Sequence, residues 1–135
     1  MQFKSISIIK ILLVTLLAIG ASAQDNGPGF VTNCKTPGLV ALTFDDGPSP
    51  FTPDLLKTLD QAKIKATFFV LGKSINEENG KGTLKATFDA GHQIALHSNT
   101  HADMNTLTAK QIQSEFEINL QAVVSTLGVR PTMAR

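Results

Sequence analysis

The sequence predicts an α/β domain built on a parallel β-sheet, and three observations support this fold class. From residue 38 onward, short apolar runs alternate with amphipathic segments, in the order strand, helix, strand, helix, strand, helix, strand. The first apolar run, residues 38–44, is almost continuous, as in strands buried on both faces. Polar residues follow the first and third runs, where parallel α/β folds carry functional groups. Both an open doubly wound sheet and part of a (β/α) barrel fit this order.

The first helix is predicted after the turn that follows the first strand. Thr52 is a candidate N-cap, Pro53 suits the first helical position, and Asp54 favours the positive end of the helix. Its apolar stripe consists of Leu55, Leu56, Leu59 and Ala62.

The next three elements are predicted to be a strand, a helix and a strand. Residues 65–72 are rich in strand-forming side chains, and Phe68 and Phe69 within them are predicted to be core residues. Gly91 is placed to end the helix that follows. Residues 92–96 then form the third strand.

The longest helix has a distinct beginning and end. Thr108 and Gln111 have the spacing of a capping box, and Gly128 is placed to stop the helix. Its core face is predicted to contain Ile112, Phe116, Leu120, Val123, Val124 and Leu127. Residues 129–135 begin a predicted fourth strand.

The N-terminal residues predict export of the chain. Residues 1–23 combine two lysines, a short apolar run and a small-residue cleavage site, which is the pattern of a secretory signal peptide. The apolar run is too short for the roughly 20 residues of a spanning helix. We therefore expect no transmembrane anchor after cleavage, and a secreted or cell-wall-associated protein. Residues 24–37 are predicted to be a flexible leader, and residues 38–135 the domain.

The charge and the cysteine content limit the classes of partner. The net charge is +1 among 135 residues and no basic stripe is present, which argues against a nucleic-acid-binding protein. Cys34 is the only cysteine. In a secreted chain this pattern fits an intermolecular bond, a free thiol or a missing partner, and a buried inert thiol also fits. The composition does not predict an oligomeric state.

Two motifs supply the candidate site. "TFDDGP" contains Asp45 and Asp46, and "HSNTH" contains His97 and His101. On a helical turn, a spacing of four points both imidazole rings the same way, as in zinc-binding helices. One carboxylate would complete three metal ligands and leave open positions for water and substrate, while the other would act as general base. The cation would also offset the repulsion between the two carboxylates.

Each motif also has a simpler interpretation. Asp, Gly and Pro are common turn residues, and His-x-x-x-His occurs by chance. Their presence together, each after a predicted parallel strand, favours the metal site. His92 lies at a helix-to-strand turn and is predicted to be structural. Asp103 and Asn105 are predicted to lie in a solvated loop, and the alternatives for them are a capping role or a contact with substrate.

With the segments around them, these motifs resemble the polysaccharide deacetylase family, the NodB-homology group of carbohydrate esterase family 4, and most of all its fungal chitin deacetylases. The resemblance covers residues 38–135. It implies a distorted (β/α) barrel with parallel strands, of which about half is present here. It also implies removal of N-acetyl groups from chitin or peptidoglycan, or of O-acetyl groups from xylan, with a divalent metal, zinc or cobalt.

The resemblance assigns a role to each motif residue. Asp45 would be the general base, and Arg135 would correspond to an arginine that orients it. The metal ligands would be Asp46, His97 and His101. Thr43 and the turn at residues 47–48 would shape the loop, and Ser98 would help to orient the histidine segment.

Later family motifs are absent. These are a tryptophan motif and a Leu-x-His motif whose histidine is the expected general acid, and the sequence has no Trp and no Tyr. The resemblance therefore implies a C-terminally truncated chain whose Cys34 has lost its partner. Without the general acid we expect it to be slower than a full-length relative, by about 10²–10⁴-fold.

The leading expectation is a deacetylase of chitin or a related N-acetylglucosamine polysaccharide, impaired by truncation. One alternative is a non-catalytic short form that binds metal or glycan, and another is an O-acetyl esterase acting on xylan. An iron oxygenase shares the ligand set, but its ligands usually come from a β-sandwich.

Overall fold

The computed structural model describes residues 33–135, which contain three parallel strands, four α-helices and one 3₁₀ turn. The strands are β1 (Thr43–Gly47), β2 (Thr67–Val70) and β3 (Gln93–Leu96). The helices are α1 (Thr52–Gln61), α2 (Gly72–Asn76), α3 (Gly80–Asp89) and α4 (Ala109–Leu127), with the 3₁₀ turn at Met104–Thr106. The predicted signal peptide, residues 1–23, lies outside the described residues. None of the helices in the described part is long and apolar enough to cross a bilayer.

The strands form one sheet in the order β1-β2-β3, and every pairing is parallel. Along each strand, alternate side chains point to opposite faces of the sheet. Two neighbouring rows of side chains therefore face opposite ways. The first row is Phe44, Phe68 and Ile94, and the next is Asp45, Phe69 and Ala95.

The hydrophobic core lies on one face of this sheet. The row that contains Phe68 and Ile94 packs with side chains from all four helices. The helical members of this cluster include Leu59 of α1, Ile75 of α2, Leu84 of α3 and Val123 of α4. A doubly wound sheet would carry helices on both faces. The one-sided arrangement is that of a (β/α) barrel segment, in which the second face looks inward.

A fourth parallel strand begins beside β3, in agreement with the prediction for residues 129–135. Leu96 and Ala134 form a single parallel bridge. The Leu96 N–H donates to the Met133 carbonyl oxygen (2.9 Å), and the Arg135 N–H donates to the Leu96 carbonyl oxygen (3.1 Å). This pairing brings Arg135 next to His97, the residue that follows β3.

The capping prediction for α4 is confirmed. Thr108 Oγ1 accepts from the Gln111 N–H (3.4 Å), and Gln111 Oε1 accepts from the Thr108 N–H (2.8 Å). Gly128 ends the helix with φ of 70°, a left-handed conformation that glycine adopts without strain. The predicted core face is correct in phase, because Val123 is fully buried and Phe116 and Leu120 pack against the core.

The predicted first strand is wrong over most of its length. Residues 38–42 are outside β1, and Leu39 and Val40 are 62% and 90% exposed. Residues 38–42 are exposed, so the predicted burial on both faces does not occur. Within the described residues β1 pairs with β2 alone, so its other edge is also unpaired.

Two smaller predictions about the helices are corrected, and one short helix was missed. Phe51, not Thr52, is the N-cap of α1, and Thr52 Oγ1 instead accepts from the Ser49 N–H (3.0 Å) in the preceding turn. Ala62 is the exposed C-cap and is not part of the apolar stripe. The short helix α2 was not predicted, because its five residues are too few to show a helical period. Cys34 is free and exposed, so the alternative of a buried inert thiol is wrong.

His92 is buried at the turn before β3, which confirms its predicted structural role. Its Nδ1 accepts a hydrogen bond from the Ala66 N–H (3.2 Å), and its ring meets the Phe68 ring edge-on at 5.2 Å. Burial lowers the pKa of His92 below the ordinary value of 6.5, and the positive charge of Lys65 lowers it further.

The stability of the protein is therefore expected to fall as the pH drops below 6.5. In that range the unfolded chain binds a proton at His92 more readily than the folded chain does, so protonation favours unfolding. The His92→Asn variant keeps an acceptor oxygen near the Nδ1 position but does not titrate. Urea denaturation of both proteins at about pH 7.5 and about pH 5.5 measures the difference. An equal loss in the two proteins would assign the effect to another group.

Candidate active site

The adjacent residues Asp45 and Asp46 point in different directions because the strand is irregular between them. Both lie inside the last three residues of β1, not beyond its end as predicted. The register with β2 shifts between Asp45 and Gly47, and Asp46 has a φ of 67°. A bulge of this kind re-aims a side chain that regular alternation would send to the opposite face. The two carboxylates consequently have separate partners.

Asp46 faces the two histidines that follow β3. Its Oδ1 lies 3.4 Å from His97 Nε2 and 3.5 Å from His101 Nε2. The ligand atoms of all three residues lie within 4.8 Å of one another. The His97 side chain is largely buried, whereas those of Asp46 and His101 are 62% and 61% exposed. The cluster is therefore anchored on one side and open to solvent on the other.

The two histidines are brought together by a loop, and the predicted helical turn is wrong. Residues 97–101 lack helical structure, and Ser98 and His101 have φ of 64° and 60°. Ser98 Oγ accepts from the His101 N–H (3.1 Å), which closes the loop. The two left-handed residues reverse the chain so that the ring centroids are 5.1 Å apart.

The hydrogen bonding of His97 favours a cation in this cluster. Its Nδ1 lies 2.8 Å from the main-chain oxygen of Arg135. Such an oxygen can only accept, so Nδ1 carries the hydrogen and the Nε2 of the neutral ring presents its lone pair to Asp46. A lone pair and a carboxylate oxygen repel each other unless a proton or a metal ion lies between them. Two imidazoles and one carboxylate are also a donor set that zinc accepts in catalytic sites.

Asp45 lies on the inward face of the sheet and is held by Arg135. The guanidinium Nε and Nη2 both donate to Asp45 Oδ1, the first at 3.1 Å, and Nη2 also donates to Thr43 Oγ1 (2.8 Å). The guanidinium carbon lies 4.1 Å from the centre of the Phe69 ring. Phe69 is buried as predicted, with 6% of its surface exposed, but it lies on the inward face, outside the core cluster that contains Phe68, and its ring packs against the guanidinium.

Two residues of the neighbouring loop have a structural contact of their own. Asp103 Oδ1 accepts from the main-chain N–H of Asn105 (3.0 Å) and from its Nδ2 (2.9 Å), which caps the 3₁₀ turn. Both residues are exposed, as predicted for a solvated loop.

Sequence reasoning missed Glu115 of α4, which contacts the histidine loop through both carboxylate oxygens. It also missed Asn119, one turn further along, which is fully buried and donates to the Val70 carbonyl oxygen (2.7 Å). The sequence does contain a signal for them, because Glu115 and Asn119 are polar residues four apart that lie beside the predicted apolar face of this helix.

Sequence comparison relates this chain to known proteins. A sequence profile of the polysaccharide deacetylase family matches residues 32–135. The chain is 37% identical over 91% of its length to a bifunctional xylanase/deacetylase from Pseudobutyrivibrio xylanivorans. It is 36% identical over 78% of its length to chitin deacetylase 1 from Cryptococcus neoformans var. grubii. These matches cover 20% and 22% of the two relatives.

The fold agrees with that of a solved relative. The chitin deacetylase from the fungal pathogen Colletotrichum lindemuthianum superimposes with a TM-score of 0.73 and 38% sequence identity. The match covers 77% of this chain and 48% of that structure, so the chain spans about half of it. The family profile matches most of the sequence, and the fold is that of a partial barrel of this type. This chain belongs to the polysaccharide deacetylase family.

Proposed function

We propose that this protein is a metal-dependent hydrolase that removes N-acetyl groups from chitin or a related N-acetylglucosamine polysaccharide. The observation that carries the proposal is the division of labour between the two adjacent carboxylates. Asp46 lies with two imidazoles in a group that can hold a metal ion, whereas Asp45 lies outside that group and is held by Arg135. In metal-dependent hydrolysis of an amide, a Lewis acid polarises the carbonyl group and a separate base takes a proton from water, so the two carboxylates fit the two roles.

In this proposal the metal ligands are Asp46, His97 and His101, and zinc suits their donor set. A divalent ion held there would polarise the acetyl carbonyl group and make a water molecule more acidic. The exposed side of the cluster, formed by Asp46 and His101, leaves room for the acetyl group to approach.

Asp45 is the proposed general base. The hydrogen bonds that the described residues make to its carboxylate go to Oδ1, so Oδ2 remains to accept a proton from water. Arg135 fixes the orientation of this carboxylate through two donors of a rigid guanidinium group. The buried Phe69 ring limits the positions that the guanidinium can occupy.

The substrate assignment is supported by the relatives named chitin deacetylase. The similarity to a bifunctional xylanase/deacetylase favours a second candidate, an O-acetyl esterase acting on xylan. The proposed polymers lie outside cells, so we also propose that the protein is secreted, on the basis of residues 1–23.

Acetate release tests this proposal. The purified chain is supplied with Zn²⁺ and incubated with chitin oligomers, acetylated xylan or peptidoglycan, and the same preparation treated with a chelator is the control. We expect acetate from chitin oligomers that disappears on chelation and returns when Zn²⁺ is restored. Release from xylan alone would support the esterase. Retention on chitin without acetate release would support a non-catalytic binding form.

A further inference from the structure

We propose that Glu115 of α4 is a positioning residue for the metal centre, an inference that rests on the proposed function. Its carboxylate contacts the loop between the two histidines, not the histidines themselves. Oε2 accepts from the main-chain N–H groups of Asn99 (3.0 Å) and Thr100 (2.7 Å). Oε1 accepts from the Thr100 hydroxyl group (3.0 Å). One side chain therefore satisfies three donors in two consecutive residues.

The conformation of this loop needs such support. Ser98 and His101, which flank Asn99 and Thr100, both have left-handed φ, a conformation that side-chain-bearing residues adopt at a cost. Consecutive N–H groups that point the same way in such a turn form a concave site for an anion. Here the anion is the carboxylate of Glu115, which is part of the same chain.

The opposite side of the loop is held by the first turn of α2. The Gly72 N–H donates to the Ser98 carbonyl oxygen (3.1 Å), and the Lys73 N–H donates to the Asn99 carbonyl oxygen (2.9 Å). Glu115 accepts from the N–H groups, so α2 and α4 hold the same short segment from its two sides. Loss of the contacts from either helix would free the backbone that sets the distance between the two imidazole rings.

The position of Glu115 is itself fixed by the helix that carries it. Asn119, one turn along α4, donates from Nδ2 to the Val70 carbonyl oxygen (2.7 Å), which also accepts from the His97 N–H (3.0 Å). Residues four apart on a helix lie on the same face. This face of α4 therefore reaches the end of β2 through Asn119 and the histidine loop through Glu115, and it sets their relative positions.

Titration with Co²⁺, whose visible spectrum reports the geometry of its ligands, tests the inference without an activity assay. We expect Glu115→Ala to bind Co²⁺ about 10-fold to 100-fold more weakly and with an altered spectrum, the range for loss of a group that orients metal ligands. Glu115→Gln keeps an oxygen that can accept both N–H groups, so it is expected to restore most of the affinity. Glu117→Ala, an exposed change on the same helix, is the matched control.

The outcomes separate this inference from the proposed function. Normal Co²⁺ affinity and an unchanged spectrum in Glu115→Ala would overturn the positioning role and leave the metal site intact. Failure of the unaltered protein to bind Co²⁺ would overturn both. If Glu115→Ala does not fold by circular dichroism, Glu115→Asp replaces it, because the shorter side chain withdraws the acceptor but keeps the charge. Wild-type affinity in that variant would equally overturn the inference.

Discussion

The Asp45→Asn protein is expected to retain its metal ion and to lose about 10²–10⁴-fold in kcat for deacetylation, the contribution of a positioned general base. Asparagine has nearly the shape of aspartate, and its oxygen can still accept from Arg135. It cannot take a proton from water at neutral pH. The change therefore removes the proposed base and leaves the surrounding contacts in place.

The comparison of kcat with metal affinity makes this test specific. Asp45 lies outside the group formed by Asp46 and the two histidines, so the affinity for Zn²⁺ is expected to change little. Competition with a chromogenic chelator measures that affinity, and acetate release from chitin oligomers measures kcat. A variant that keeps its metal and its full kcat would exclude Asp45 as the base. A variant that loses its metal would mean that the two carboxylates share one role.

Much of the fold follows from local signals in the sequence. β2 and β3 lie inside the predicted runs because aromatic and aliphatic residues are dense there. α4 begins and ends where Thr108, Gln111 and Gly128 predict, because capping depends on residues close in sequence. The exposed residues 38–42 show the limit of such signals. Apolar character predicts a strand, but burial depends on what covers it, which is a tertiary property.

The closeness of Asp46, His97 and His101 was predictable from the sequence, but the geometry of the candidate site was not. Two motifs near the carboxyl ends of parallel strands meet at one edge of the sheet, so their proximity follows from topology. The directions of the side chains depend instead on left-handed φ values at Asp46, Ser98 and His101. Glycine would have signalled such positions, but these residues carry side chains. Asp and His are several-fold enriched at positive φ, yet only a small fraction of side-chain-bearing residues adopt it, so their presence does not predict it. The contact from Glu115 spans 15 and 16 residues in sequence and depends on the packing of α4.

Replacing Asp46 by asparagine is expected to weaken metal binding by more than about 100-fold, beyond the loss caused by removing an outer-shell partner. The substitution removes the only carboxylate of the group that contains His97 and His101, and with it the negative charge that balances a divalent ion. Asparagine is the suitable replacement because Asp46 has a φ of 67°, and Asn tolerates the left-handed conformation, whereas alanine would add backbone strain.

Asp46→Asn and Asp45→Asn form a matched pair, since each removes one negative charge from adjacent residues of the same strand. In the first, loss of metal is expected to be the primary effect, and excess Zn²⁺ should recover part of the activity by mass action. In the second, excess Zn²⁺ should recover none. Equal metal affinity in the two variants would contradict the assignment of Asp46 as the ligand. Opposite behaviour, with metal lost in Asp45→Asn alone, would exchange the two roles. Asp45 would then be the metal ligand, and the bulge in β1 would orient Asp46 as the base.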